Sequence, residues 1–281
     1  MPQAPVPAGP VVASPYNPRL RAVRELLRSA RARRERASSV LEGIHLVQAW
    51  IDHGSSVDEL VLGEASLTLA PVQALLARGA RSIRRVLLLD DRLFEQLGTM
   101  PSAAPVLAVV TTPSPTLPTR LDGDALLLDR VQDPGNVGAI IRSAAAAGVG
   151  HLLTTPQTAW CWSPKVLRAA MGGHFALSIH ESVPWDAVRA LANASGLPLA
   201  ATVLRDGRPI HDADLRPRCL WVFGNEGAGV DPTMLATRDW RLTIEHGTGV
   251  ESLNVAAAAA ICLFEQRRQR RHTDPRLPTQ A

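Results

Sequence analysis

Three short segments gather the side chains and backbone types that chemistry could use. The first, Asp129-Arg130-Val131-Gln132-Asp133-Pro134-Gly135-Asn136-Val137-Gly138, runs into an alanine-rich helix that carries Arg142. Asp, Pro, Gly and Asn ahead of a helix are ordinary turn and capping residues and explain that loop by themselves. They do not explain Arg142, since an arginine buried or half-buried in such a helix needs an anion to meet. The second segment, Gly224-Asn225-Glu226-Gly227-Ala228-Gly229, follows an apolar run. Its three glycines in six residues permit positive φ and a close approach of backbone to a ligand, although a tight turn is the simpler explanation. The third, Gly247-Thr248-Gly249-Val250-Glu251-Ser252-Leu253-Asn254, leads into the last helix. Ser252 or Glu251 reads as the cap of that helix, leaving Asn254 inside its first turn, where an asparagine competes for backbone hydrogen bonds. None of these loops is a dinucleotide fingerprint, and no G-x-x-x-x-G-K-[ST] phosphate loop occurs.

The elements around them must place each segment at the carboxyl end of a strand, where open α/β sheets bind ligands. Strands are expected at Ala125 to Leu128, His151 to Thr154, Leu199 to Leu204, Leu220 to Phe223 and Arg241 to Ile244, with helices at Val137 to Ala147, Pro164 to Met171, Trp185 to Ala194 and Leu253 to Arg271. Continuous apolar strands of this kind predict a largely parallel sheet covered on both faces. Ahead of it, helices at Gly43 to His53 and Pro71 to Arg78 alternate with strands at Glu59 to Leu62, Arg85 to Leu89 and Val106 to Val110, a smaller α/β unit. The expected plan is a flexible leader (1–18), a first domain (19–110), a proline-rich linker (111–121), a second domain (122–271) and a polar tail (272–281).

A chain of 281 residues, 46% apolar and 20% charged, buries a real core and is neither disordered nor collagenous. Its longest apolar run, Val255 to Phe264, is about half what a bilayer crossing needs, so no membrane partner is expected. Cys161, Cys219 and Cys262 form neither a disulfide framework nor a zinc spacing, and His45, His53, His151 and His174 lack metal-ligand spacing. No metal is expected, and the compartment reads as a reducing cytoplasm. Lys165 is the only lysine, so the basic charge is carried by arginine, which forks onto phosphates. Arg19 to Arg36 holds eight arginines against Glu25 and Glu35 on an amphipathic stretch. A solvated helix face and a nucleic-acid contact are equally good readings of it. Trp160 and Trp162 flank Cys161, and packing explains them better than base stacking does.

In this order and at these separations the three segments resemble the three motifs of the SpoU/TrmH-type RNA ribose 2′-O-methyltransferases of the SPOUT superfamily. The resemblance covers roughly Ala125 to Arg271, and Ser163-Pro164-Lys165 to Gly172-Gly173 is similar to the family's middle segment. Leu41-Glu42-Gly43 after an arginine-rich helix is similar to the L30e-like RNA-binding domain that many members carry. The resemblance implies an α/β fold with a C-terminal trefoil knot, an exception to the rule against knots. It also implies a homodimer and S-adenosyl-L-methionine as cofactor. Carried over by position, Gly224, Ile244, His246 and Leu253 would line the cofactor site, and Asn136, Arg142, Glu226, Ser252 and Asn254 match the functional polar positions. On this basis Arg142 would grip an RNA phosphate and orient the 2′-hydroxyl, with Glu226 and Asn136 fixing its guanidinium. The chain departs from the family in having Glu245-His246 where members commonly have Pro-Met after the isoleucine. The implied activity is methylation of a ribose 2′-hydroxyl in structured RNA, ribosomal rather than transfer RNA. A transfer-RNA enzyme, or a non-catalytic RNA-binding protein that keeps the knot, is the alternative.

Overall fold

Turn and capping residues set most of the boundaries. The computed structural model describes residues 9–97, 105–204, 206–230, 239–247 and 249–273. The expected leader up to residue 8 and the tail from 274 lie outside the described residues. By contacts the chain divides into two compact units, Met1–Pro113 with Trp162–Arg168, and Ser114–Cys161 with Ala169–Ala281.

The first unit opens with α1 (Pro18–Arg28), capped by the Asn17 carboxamide, which accepts from the amides of Arg19 (2.9 Å) and Leu20 (3.4 Å). Val12, inside the segment expected to be a loose leader, donates to the Leu88 carbonyl and accepts from the Asp90 amide. The single amphipathic stretch expected through Arg36 is broken at Ser29, which is extended. Its amide closes α1 on Glu25, and its hydroxyl caps α2 (Ala30–Glu35) through the Ala32 amide at 3.1 Å. The chain continues through β1 (Ser38–Glu42), α3 (Ile44–Asp52), β2 (Glu59–Gly63), α4 (Ala70–Arg78), β3 (Val86–Leu89), α5 (Asp91–Glu95) and β4 (Val106–Thr111). The sheet order is β1-β4-β2-β3, with β4 antiparallel to both neighbours and β2 parallel to β3. Leu20, Val23 and Leu26 of α1 pack on this sheet's Val40, Val61, Leu87 and Leu107. Trp162 is buried and meets Trp50 edge to face, so packing accounts for it.

The second unit runs β5 (Ala125–Leu128), α6 (Pro134–Ala147), β6 (His151–Thr154), α7 (Pro164–Ala170, most of it grouped with the first unit), β7 (Ser178–His180), α8 (Trp185–Ser195), β8 (Leu199–Thr202), β9 (Arg208–Pro209), β10 (Leu220–Phe223), β11 (Trp240–Thr243) and α9 (Val255–Thr273). Among the described residues these strands form one parallel sheet of order β7-β6-β5-β10-β8-β11-β9. Strands β5 and β10 are fully buried, as expected where helices cover both faces. They pair in the middle of the sheet, Leu220 opposite Ala125 and Phe223 opposite Leu128. From β5 the chain first builds outward to β6 and β7 and then returns to the other side. The β5/β10 junction is therefore the topological switch point where such sheets form a crevice. Helix α9 is fixed from within: buried Gln266 accepts from Trp221 Nε1 (2.9 Å) and donates to the Leu215 carbonyl (3.0 Å).

Candidate active site

The crevice begins where β5 ends. The Asp129 amide adds one rung by donating to the Phe223 carbonyl (2.9 Å), and its buried carboxylate accepts from the Thr155 hydroxyl (2.9 Å), Trp185 Nε1 (3.3 Å) and the Arg130 guanidinium (3.0 Å). Arg130 sits at φ 55°, a conformation disfavoured for any side chain but glycine and held only where surroundings impose it. Its amide donates to Thr155 Oγ1 (3.0 Å), and its carbonyl accepts from Asn225 Nδ2 (3.0 Å). Asp133 then caps α6 through the Asn136 amide at 2.9 Å, with Pro134 in the first turn.

The loop after β10 is closed on itself. A methyl group on Gly224 would lie 2.2 Å from the Gly229 carbonyl carbon, so only glycine fits there. Asn225 Oδ1 accepts from the amides of Gly227 and Ala228, both at 3.0 Å. This turn delivers Glu226, whose carboxylate accepts from the amides of Gln132 (3.2 Å) and Asp133 (3.0 Å) and from Asn136 Nδ2 (3.1 Å). Burial pushes the Glu226 carboxyl up. The Asn136 amide and the backbone amides outweigh that effect and hold it below the usual carboxylate range. Asn136 Oδ1 in turn accepts from Asn254 Nδ2 (2.9 Å). Asn254 is the cap of α9 rather than a first-turn residue, its Oδ1 accepting from the amides of Ala256 (2.9 Å) and Ala257 (3.2 Å). One hydrogen-bonded chain, Asn254 to Asn136 to Glu226, thus joins three loops separated by up to 118 residues.

Other expected site residues lie outside that chain. Arg142 is exposed, not half-buried, and its guanidinium makes no hydrogen bond among the described residues. Glu226 and Asn136 are engaged with each other instead. Its backbone is gripped from behind: a methyl group on Gly173 would sit 3.0 Å from Arg142 Cα and 3.1 Å from the Ile141 carbonyl oxygen. Ser252 is exposed and caps no helix among the described residues. Gly224 is buried, Ile244 and Leu253 are half-buried, and His246 is exposed with Nδ1 3.3 Å from the Gly247 carbonyl. Glu245 makes no ion pair among the described residues.

The sequence model of the SpoU rRNA Methylase family matches residues 125–264, which contain all three loops. A Bacillus subtilis relative, 23S rRNA (guanosine(2553)-2'-O)-methyltransferase RlmP, is 30% identical over 241 residues, 86% of this chain and 93% of its own. The chain belongs to the SpoU rRNA methylase family. Among solved structures this SpoU chain is similar to an AdoMet-bound rRNA methyltransferase from Sinorhizobium meliloti, with a TM-score of 0.81 at 27% identity over 92% of this chain and 97% of that one. It is equally similar to the SpoU methyltransferase AviRb from Streptomyces viridochromogenes in complex with AdoMet, with a TM-score of 0.81 at 28% identity over 90% of this chain and 98% of that one.

Sequence reasoning about this SpoU chain quoted Asp129 and Asn225 within its loops without giving either a role, and it missed Thr155 and Trp185; these four hold the first two loops. Only Asn225 had a legible signal, as an asparagine following a glycine in a turn, able to bond the backbone two residues on. Thr155, just past β6, and Trp185 of α8 meet Asp129 only in three dimensions.

Proposed function

We propose that the protein transfers a methyl group from S-adenosylmethionine to a ribose 2′-hydroxyl of ribosomal RNA. The convergence of three loops on the Asn254–Asn136–Glu226 chain, at the switch point of a parallel sheet, carries this reading. The relative RlmP, a 23S rRNA 2'-O-methyltransferase, and the AdoMet bound in two similar structures support it.

The residues present suit that cofactor. Gly247 and Gly249 face open space, Ile244 and Leu253 offer half-buried apolar surface, and the buried Thr243 hydroxyl has no hydrogen-bond partner among the described residues. We assign Gly224, Ile244, His246 and Leu253 to its binding. When bound, it supplies a methyl group on a positively charged sulfur. The chain's own task is to orient a weak nucleophile and stabilise the negative charge that develops on it, while the hydroxyl proton leaves to solvent and the S–CH3 bond breaks as the O–CH3 bond forms. A guanidinium is a donor of hydrogen bonds with no acceptor, so Arg142 is not assigned the role of a base. We therefore give it the RNA phosphate and the 2′-oxygen, which its exposed position allows. Glu226, fully engaged by donors, holds the loops rather than taking a proton, and Asn136 and Asn254 complete that frame. Ser252 is exposed in the third loop, and we assign it to the wall of the pocket.

The same reading extends to a knotted C-terminal path and to a homodimer in a reducing cytoplasm, where the buried thiols of Cys161, Cys219 and Cys262 stay free. Ala257, Ile261 and Phe264 form an exposed apolar row on α9 that suits a second copy. Phe264→Glu should then yield monomers by sedimentation, and an unchanged mass would refute the dimer. The function itself is tested by incubating the protein with methyl-labelled S-adenosylmethionine and, in parallel, ribosomal RNA or transfer RNA, then mapping 2′-O-methylated positions. Label confined to transfer RNA, or binding without transfer, would overturn it.

A further inference from the structure

We propose that Asn225 is a positioning residue for methyl transfer, acting through the Arg130 carbonyl and through Glu226. The inference rests on the methyl-transfer reading and adds to it a residue whose carboxamide is engaged with the two loops themselves.

The argument begins with what one carboxamide does here. Its oxygen accepts from the amides of Gly227 and Ala228, which fixes the turn after β10, while its nitrogen donates to the Arg130 carbonyl in the loop after β5. Asparagine alone supplies an acceptor and a donor at this reach. Aspartate lacks the donor, serine is too short to bridge, and glutamine would move both atoms outward. The neighbouring residue makes the second stitch between the same two loops, because the Glu226 carboxylate holds the amides of Gln132 and Asp133. Two consecutive side chains therefore sew one loop to the other, and the first stitch decides where the second lands.

The receiving end is unusual too. Arg130 is held at φ 55° by three constraints: its amide on Thr155, its guanidinium on buried Asp129 and its carbonyl on Asn225. Removing the Asn225 contact releases a residue whose conformation is unfavourable on its own. Relaxation there displaces Gln132 and Asp133, and with them Asn136 and the start of the helix that bears Arg142. A residue that only formed a turn would need none of this geometry.

The test compares Asn225→Asp and Asn225→Ala with wild type by label transfer to ribosomal RNA, thermal melting and hydrogen exchange at the amides of residues 227 and 228. Asn225→Asp keeps the acceptor of the turn, so the protection of those amides should match wild type and melting should fall only by the few degrees that one lost hydrogen bond costs. Its kcat should fall roughly tenfold, with KM for RNA within about twofold, since the lost contact orients rather than binds. Asn225→Ala should lose kcat further and also the amide protection. An Asn225→Asp protein with wild-type kcat would overturn the proposal, as would a loss of activity that only follows a loss of melting temperature. Wild-type protein that transfers no label would overturn the methyl-transfer reading instead.

Discussion

Arg142 stands exposed on α6 with its backbone clamped by Gly173, so its side chain can be removed without disturbing the fold. Arg142→Ala should lower kcat by roughly 10²–10³, the usual cost of deleting a charged donor at a reacting oxygen, and leave thermal melting unchanged. Wild-type turnover in that variant would remove Arg142 from the chemistry. His174 is the opposite case, a buried imidazole whose Nε2 lies 2.7 Å from the Cys161 carbonyl. Burial lowers its pKa to about 4 from 6.5, against the smaller upward pull of that carbonyl. The neutral ring contributes stability that is complete above pH 6.5 and is lost as pH falls through about 4. That difference amounts to about 3 kcal/mol. Denaturant unfolding between pH 7 and pH 4 should show this loss, and His174→Gln should flatten the curve. At this scale the sequence disclosed which residue types would matter, because Asn, Glu and Gly beside strand ends have few other uses. It misjudged the burial of Arg142 because alanine favours helix whether buried or exposed, so an apolar composition was not an apolar environment.

Elements were legible where apolar runs end in turn residues. The expected β5, β6 and β10 match the observed bounds. Strand β1, Ser38–Glu42, escaped because it begins with two serines, and Ser29 hid a helix break because a serine inside a helical period looks unremarkable until its hydroxyl is seen capping the next turn. Helix ends shifted by one to three residues, and the two-residue shift at α9 is what turned Asn254 from a misfit into a cap. The short helical turn Gly173–Ala176 shows how one element positions another, since Gly173 lies against α6 at Arg142. Gly173→Val should push α6 outward, costing about 1–3 kcal/mol by denaturant titration. It should also reduce kcat, and an unaffected kcat would mean that the clamp does not set Arg142.

For the molecule as a whole, the arginine-rich start divides into two populations. Arg33 is buried on the carbonyls of Leu26 (2.5 Å) and Leu27 (3.2 Å), Arg19 and Arg36 pair with Glu59 and Glu25, and Arg31 pairs with Glu35 at 2.6 Å. Arg21 and Arg28 are exposed and unpaired among the described residues, seven positions apart on one helix face. Replacing both with alanine should weaken RNA binding and reduce the slope of log affinity against log salt by roughly 1–2, whereas Arg33→Ala should lower stability instead. An unchanged slope would leave those arginines as a solvated face. The link among Asn254, Asn136 and Glu226 also runs one way. A carboxylate only accepts, so each carboxamide in turn has a single permitted orientation. Exchanging one amide nitrogen for oxygen at 136 or 254, the hydrolysis that ageing protein undergoes, would set acceptor against acceptor. Old preparations should therefore fall silent while still well folded, with the deamidated fraction at those sites tracking the lost turnover.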